Sequence, residues 1–253
     1  MTSVQGLSVI ITGGGSGLGR GAALHLAQRG AKVTISGRRP EKIEAVQAEI
    51  GASCRAVVGD VTDAQDRRRL IDAALEHGGG IDALVNNAGN MVRGPITDLA
   101  ASDVLGLFDS NVVGPMMLTG LAVPHLARRG GAVVFIGSVH TRRSFPGASP
   151  YAATKGAVEV LARVLAAELG PRRIRVNCVI PGAVPTEINL RAGLFTEAEH
   201  RERMNALAPM HALGRIGTDR EIAEAIEYLI TAEWTTGASL VVDGGLSLGV
   251  SNV

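Results

Sequence analysis

The run Leu7-Ser8-Val9-Ile10-Ile11 reads as a short buried strand, and it passes directly into Thr12-Gly13-Gly14-Gly15-Ser16-Gly17-Leu18-Gly19. Ala22, Ala23, Leu26 and Ala27 then recur at helical spacing. A strand that feeds a helix through a glycine turn constrains the chain strongly. The first N–H groups of such a helix have no partner inside it, and bare backbone lets an anion come close to them. The spacing Gly13-x-x-x-Gly17-x-Gly19 differs from the Gly-x-Gly-x-x-Gly fingerprint, but the roles are the same: positive φ in the turn, an open approach for a pyrophosphate, and close helix-to-sheet packing at Gly19. The turn, with Ser16 and Leu18 in it, is a candidate dinucleotide site.

The alternation continues. Strands are expected at 31–36, 53–58, 81–85, 132–136, 174–180 and 239–242. Helices are expected at 40–50, 63–76, 102–128 and 219–230, with another around Tyr151 and Lys155. Continuous apolar strands alternating with helices predict a mostly parallel α/β sheet covered on both faces. No linker or composition break divides residues 1–253, so a single domain is expected.

Apolar residues make up 46% of the chain, enough for a substantial core, and the net charge of +1 gives no case for nucleic acid or an anionic membrane as the main partner. No apolar run approaches the roughly 18 residues of a membrane span, and the few residues before the first strand leave no room for a signal peptide, so a cytoplasmic protein is expected. Cys54 and Cys178 fall in strands and read as small buried hydrophobes. His-x-x-x-His and Cys-x-x-Cys are absent, and no metal site is expected.

Tyr151 and Lys155 occur in Ser149-Pro150-Tyr151-Ala152-Ala153-Thr154-Lys155-Gly156, a separation that puts phenol and ammonium on one face of a helix. A free phenol has a pKa near ~10, and an adjacent cation lowers it, which makes the pair a candidate base. By itself the spacing also fits a surface pair. Its context is Thr12-Gly13-x-x-x-Gly17-x-Gly19, Asp60, Asn86-Asn87-Ala88-Gly89, Asn111, Ser138, Pro181-Gly182, Thr186 and Asp243-Gly244-Gly245, in that order. Together these residues resemble the short-chain dehydrogenase/reductase family in its single-domain form, over nearly the whole chain.

The resemblance implies a doubly wound (Rossmann) sheet of seven strands and metal-free hydride transfer between a nicotinamide dinucleotide and an alcohol or carbonyl. It implies Tyr151 as general acid and base, Ser138 as the hydrogen-bond partner of the substrate oxygen, and Lys155 as the contact to the nicotinamide ribose that lowers the Tyr151 pKa. Asn111 would keep a water linking Lys155 to solvent. For the cofactor it implies Gly13, Ser16, Gly17, Leu18 and Gly19 at the pyrophosphate, Asp60 and Val61 at the adenine, and Asn87, Ala88 and Gly89 at the ribose. Pro181, Gly182, Val184 and Thr186 follow the sixth strand. Ser36-Gly37-Arg38-Arg39 departs from NAD-using relatives, with glycine where they place an acid and arginine next. A guanidinium suits a 2′-phosphate, so NADP is favoured over NAD, and the alternative for Arg38 and Arg39 is a solvated loop pair.

Residues 185–212 form a long, irregular, amphipathic stretch that reads either as a substrate lid or as a satellite core. His140, Arg142, Met91 and Arg93 are candidates at the pocket mouth. The expected function is oxidoreduction of a secondary alcohol or ketone, with a homotetramer implied by the resemblance. One variant is a 3-oxoacyl-carrier-protein reductase, with Arg128-Arg129 and Arg172-Arg173 receiving the acyl carrier protein; another is a sugar or polyol dehydrogenase using NAD. From a different class, the chain would be a nucleotide-sensing binding protein, which the complete catalytic set argues against.

Overall fold

Side chains alternate across a strand, so β1 (Ser8–Thr12) sends Val9 and Ile11 to one face and Ile10 to the other; all three are fully buried, and both faces therefore need a helical layer. The computed structural model describes residues 3–249. The other strands are β2 (Lys32–Gly37), β3 (Cys54–Val58), β4 (Ala83–Asn86), β5 (Ala132–Ile136), β6 (Arg175–Pro181) and β7 (Ser239–Val242). The seven form one sheet in the order β3-β2-β1-β4-β5-β6-β7, with every neighbouring pair parallel.

The helices are α1 (Gly17–Gln28), α2 (Pro40–Ile50), α3 (Ala64–Gly78), α4 (Ala101–Phe108), α5 (Gly114–Arg129), α6 (Ser149–Leu169), α7 (Ile188–Arg191), α8 (Glu197–Leu207) and α9 (Asp219–Thr231). Ala22, Leu26, Ile43, Val46, Ile222 and Ile226 bring α1, α2 and α9 against one face of the sheet. Leu70, Ile71, Leu118, Leu126, Val158 and Ala162 bring α3, α5 and α6 against the other. Strand order reverses at β1: the chain moves outward to β3 and returns through α3 to start β4 on the far side of β1. The crevice between the carboxyl ends of β1 and β4 is where open α/β sheets hold ligands.

Two expectations are corrected. The helix expected over 102–128 is two helices, α4 and α5, joined by a π-helical segment, Asp109–Val113. The irregular stretch expected over 185–212 holds α7, α8 and a 3₁₀ turn, Ala208–Met210. Thr196 and Glu199 open α8 with a reciprocal capping box, a Thr-x-x-Glu signal that was present in the sequence. No continuous apolar run of membrane length occurs, yet Ala101–Arg129 is long and apolar enough to cross a bilayer by length and composition. Its Leu118, Ala122, Val123 and Leu126 are buried against the sheet, as in a core helix.

Cys54 and Cys178 are free and buried, and burial pushes each thiol up to about 12, which removes them as nucleophiles near neutral pH. Among the described residues no group of His, Cys, Asp and Glu is arranged to hold a metal ion.

Candidate active site

The turn from β1 into α1 passes through positive φ at Gly13 (+67°) and Gly17 (+52°). A Cβ on Gly13 would lie 2.9 Å from Asn87 Nδ2, and one on Gly19 would lie 2.3 Å from the Gly13 carbonyl oxygen, so the turn and the β4 loop meet closely. Thr12 Oγ1 accepts from the backbone N–H groups of Asn87 (3.0 Å) and Ala88 (2.9 Å), and Asn87 Nδ2 donates to the Thr12 carbonyl (2.8 Å). These bonds clamp the carboxyl ends of β1 and β4 together at the point where strand order reverses. Ser16 stands at the N-cap of α1 without capping it; its hydroxyl accepts from Arg39 instead (3.2 Å). The first-turn N–H groups of α1 therefore lack a side-chain partner, which is the donor set a phosphate fits.

One continuous cleft runs from this turn to Tyr151. It is lined by Gly13, Ser16, Gly17, Leu18, Arg38, Asp60, Val61, Asn87, Ala88, Gly89, Ser138, His140, Tyr151, Lys155, Pro181, Gly182, Val184 and Thr186. Of the residues expected to touch cofactor or substrate, Gly19 and Arg142 are absent from the lining, and Gly19 packs beneath the turn.

At the far end, Ser138 follows β5 and caps the 3₁₀ turn Val139–Thr141, while α6 carries Tyr151 and Lys155. All three side chains are buried. Ser138 Oγ lies 3.0 Å from His140 Nδ1 and is hydrogen-bonded to the Tyr151 hydroxyl. The Tyr151 ring meets His140 edge-on at 5.1 Å between centroids, and Phe145 packs on His140 at 4.5 Å. Lys155 Nζ donates to the Ile136 carbonyl (2.8 Å) and lies 5.5 Å from the Tyr151 ring centroid.

Burial decides the protonation states here. It pushes the Tyr151 phenol up to about 12 against the opposing pull of the Ser138 hydrogen bond, and it draws Lys155 down to about 8. The expected lowering of the phenol by Lys155 is thus not met in this arrangement, in which the ammonium bonds the Ile136 carbonyl and burial is the leading influence on the phenol. Tyr151 is held protonated, the state a proton donor needs.

Asn111, in the π-helical segment, does not line the cleft. Its amide accepts from the Asn90 backbone N–H (2.8 Å) and donates to the Asn90 carbonyl (3.0 Å) and to Thr154 Oγ1 (3.1 Å), stapling the β4 loop to α6 behind Tyr151. Arg142 is also turned away from the cleft. It pairs with buried Glu159 of α6 (2.9 Å), whose charge is held by hydrogen bonds from Arg142, Ser239 and Thr141 against the cost of burial. Arg128-Arg129 and Arg172-Arg173 precede β5 and β6, so they stand at the amino ends of the strands, opposite the cleft, and Arg129 is engaged with Asp82 (2.9 Å). They give no support to carrier-protein docking at the cleft mouth.

Met91 and Arg93 do line the cleft. The sequence reading missed Phe145, Arg191, Arg203 and Leu246 in its walls, and Thr154 behind it. Thr154 shares the helical turn between Tyr151 and Lys155, a spacing signal that could have marked it; Phe145 lies in a loop and carries none.

A family model described as Enoyl-(Acyl carrier protein) reductase matches residues 13–247. The chain is 36% identical over 251 residues to Glucose 1-dehydrogenase of Gluconobacter oxydans (strain 621H), covering 96% of this chain and 92% of that one. It is 34% identical over 253 residues to 3beta-hydroxysteroid dehydrogenase 1 of Eggerthella lenta, covering 97% and 95%. Among solved structures, a short-chain dehydrogenase/reductase of unknown function from Caenorhabditis elegans, with cofactor, matches with a TM-score of 0.91 at 30% identity, covering 98% of this chain and 97% of that one.

Proposed function

The chain belongs to the short-chain dehydrogenase/reductase family, and from that premise we propose that it is an NADP-dependent oxidoreductase acting on a secondary alcohol or ketone, with Tyr151 as general acid and base. The observation that carries the reading is the burial of Ser138, Tyr151 and Lys155 at one end of a cleft whose other end is the uncapped turn of α1. The nicotinamide supplies or accepts the hydride. Ser138 holds the substrate oxygen, Tyr151 gives it a proton during reduction and takes one back during oxidation, and the Lys155 cation offsets charge left on the phenol.

Arg38 supports NADP over NAD. Its guanidinium lies 3.7 Å from Asp60 and donates to Asn90 Oδ1 (3.1 Å), at the exit of a strand that carries no acid there. Residues 185–212, which contain α7 and α8, act as the lid of the substrate end, and Ile188, Met204 and Leu207 in the cleft wall support this. The protein is taken to work in the cytoplasm as a homotetramer. The named relatives act on a sugar and a steroid, both alcohols, and the complete catalytic set opposes a purely nucleotide-sensing role.

The test is nicotinamide absorbance with NADPH and NADH over a panel of ketones, 3-oxoacyl thioesters, steroids and sugars. Tyr151→Phe should lower turnover by about 10² to 10⁴ while leaving cofactor fluorescence titrations nearly unchanged. More than about a tenth of wild-type turnover in the variant would overturn the assignment of Tyr151.

A further inference from the structure

Of the arginines that line the cleft, Arg38 has a carboxylate partner, Asp60, and Arg39 and Arg142 outside the lining have Glu187 and Glu159. Arg93, Arg203 and Arg191 line the same cleft and, among the described residues, none has a carboxylate within ion-pair distance; Arg191 donates to the Gly89 carbonyl (3.3 Å) on the side of Arg38, Arg39 and Glu187, which leaves Arg93 and Arg203 together near His140. Arg93 donates to the Pro146 carbonyl (3.1 Å), and Arg203 of α8 stands over the Phe195 ring, 5.3 Å from its centroid. Burial, and then the charge of Arg203, pull the Arg93 pKa down. Burial, followed by Arg93, Arg203 and Lys155, holds His140 down to about 4. The two guanidiniums therefore share one neighbourhood and repel one another, beside an imidazole that this setting keeps neutral and that touches Ser138. Half-buried like charges without a counter-ion are unfavourable, and an anion seated beside them relieves both the desolvation and the repulsion. The acids that line the cleft, Asp60 and Glu187, are engaged with Arg38, Arg39 and Lys42 near the exit of β2.

We propose that the substrate of this cleft carries an anionic group, a carboxylate or a phosphate ester, which Arg93 and Arg203 receive beside the reacting carbonyl. The inference rests on the oxidoreductase reading above. Met91, Phe145 and Met204 supply apolar wall for the rest of the molecule.

With saturating NADPH, reduction of acetoacetate is compared with that of its methyl ester, and reduction of dihydroxyacetone phosphate with that of dihydroxyacetone; cyclohexanone is the uncharged control. The charged member of at least one pair is expected to be preferred about 10- to 100-fold in kcat/KM, mainly through KM, as the loss of a charge-assisted hydrogen bond would give. Which pair shows the preference separates carboxylate from phosphate. Arg203→Gln should bring that ratio towards one, and Arg203→Lys should restore part of it. Equal or better use of the neutral member in both pairs overturns the proposal, as does a ratio that survives both Arg93→Gln and Arg203→Gln. If cyclohexanone is reduced and none of the four compounds is, the anion site falls and the oxidoreductase reading stands. If neither NADPH nor NADH reduces any of the five, both fall.

Discussion

Ser138 Oγ accepts from the His140 backbone N–H at 3.3 Å while sharing a 3.0 Å hydrogen bond with Nδ1 of the same residue. The imidazole thus sets which way the serine hydroxyl points. With Nδ1 unprotonated it takes the serine hydrogen; with Nδ1 carrying hydrogen it leaves that hydrogen for another acceptor.

The His140 ring is held down to about 4, chiefly by burial and then by Arg93 and Arg203. Between about 4 and the ordinary histidine value the unfolded chain binds more protons, so this residue makes stability fall as pH drops through that window. The His140 ring resonances should titrate near 4. In urea titrations at pH 4.5 and 7, His140→Gln should show a smaller acid loss than wild type. A ring that titrates near 6.5 would refute the expectation.

Lys155, drawn down to about 8 by burial, is charged below that pH and neutral above it. NADPH affinity should therefore weaken as pH rises through about 8, on the proposal that the ammonium meets the ribose. Fluorescence titrations at pH 6.5 and 9.5 should show the decline in wild type, and Lys155→Met should bind weakly with little pH dependence over that range.

Arg38→Leu should reduce the preference for NADPH over NADH by about ten-fold to several hundred-fold, the worth of one or two charge-assisted hydrogen bonds. Gly37→Asp is a poorer probe, because a Cβ at Gly37 would lie 2.9 Å from Ile43 Cγ2 and the buried Ile43 side chain would have to give way. Steady-state rates with both cofactors decide it, and an unchanged ratio in Arg38→Leu would return this arginine to the role of a solvated loop residue.

Leu105, Val113, Met116 and Met117 on the α4–α5 rod and Val160 and Val164 on α6 are exposed, an apolar surface that a homotetramer would bury. Light scattering at micromolar concentration should report a tetramer. Val164→Asp should give a smaller species with unchanged far-ultraviolet circular dichroism. A wild-type monomer would exclude the assembly.

The glycine turn, the parallel sheet and the cleft residues were legible because each rests on a local rule: bare backbone before a helix, continuous apolar strands, residues just past strand ends. What escaped depends on phase and orientation. Periodicity gives the spacing of apolar positions on a helix but not which stripe meets the sheet. On the same helices Leu107, Leu118, Val158 and Leu169 are buried within the subunit, while Val113, Met117, Val160 and Val164 are exposed beside them. Helix α8 buries only Met204, so the apolar residues of the 185–212 stretch form no helical stripe along it and its capping box was its one signal. The choice of the Ile136 carbonyl by Lys155 depends on a distant strand end, which no spacing within α6 could reveal.

The π-helical segment Asp109–Val113 behaves as one surplus residue carried within an otherwise regular rod. Deleting a residue there would restore ordinary helical winding and rotate everything upstream by about 100° relative to α5. Leu107 would then leave the small cluster it forms with Met91 and Tyr151, and Asn111 would lose its register with Asn90 and Thr154. A single-codon deletion in this stretch should therefore be far more damaging than one in the loop at 142–147, and the length of this rod is fixed by the active site it supports.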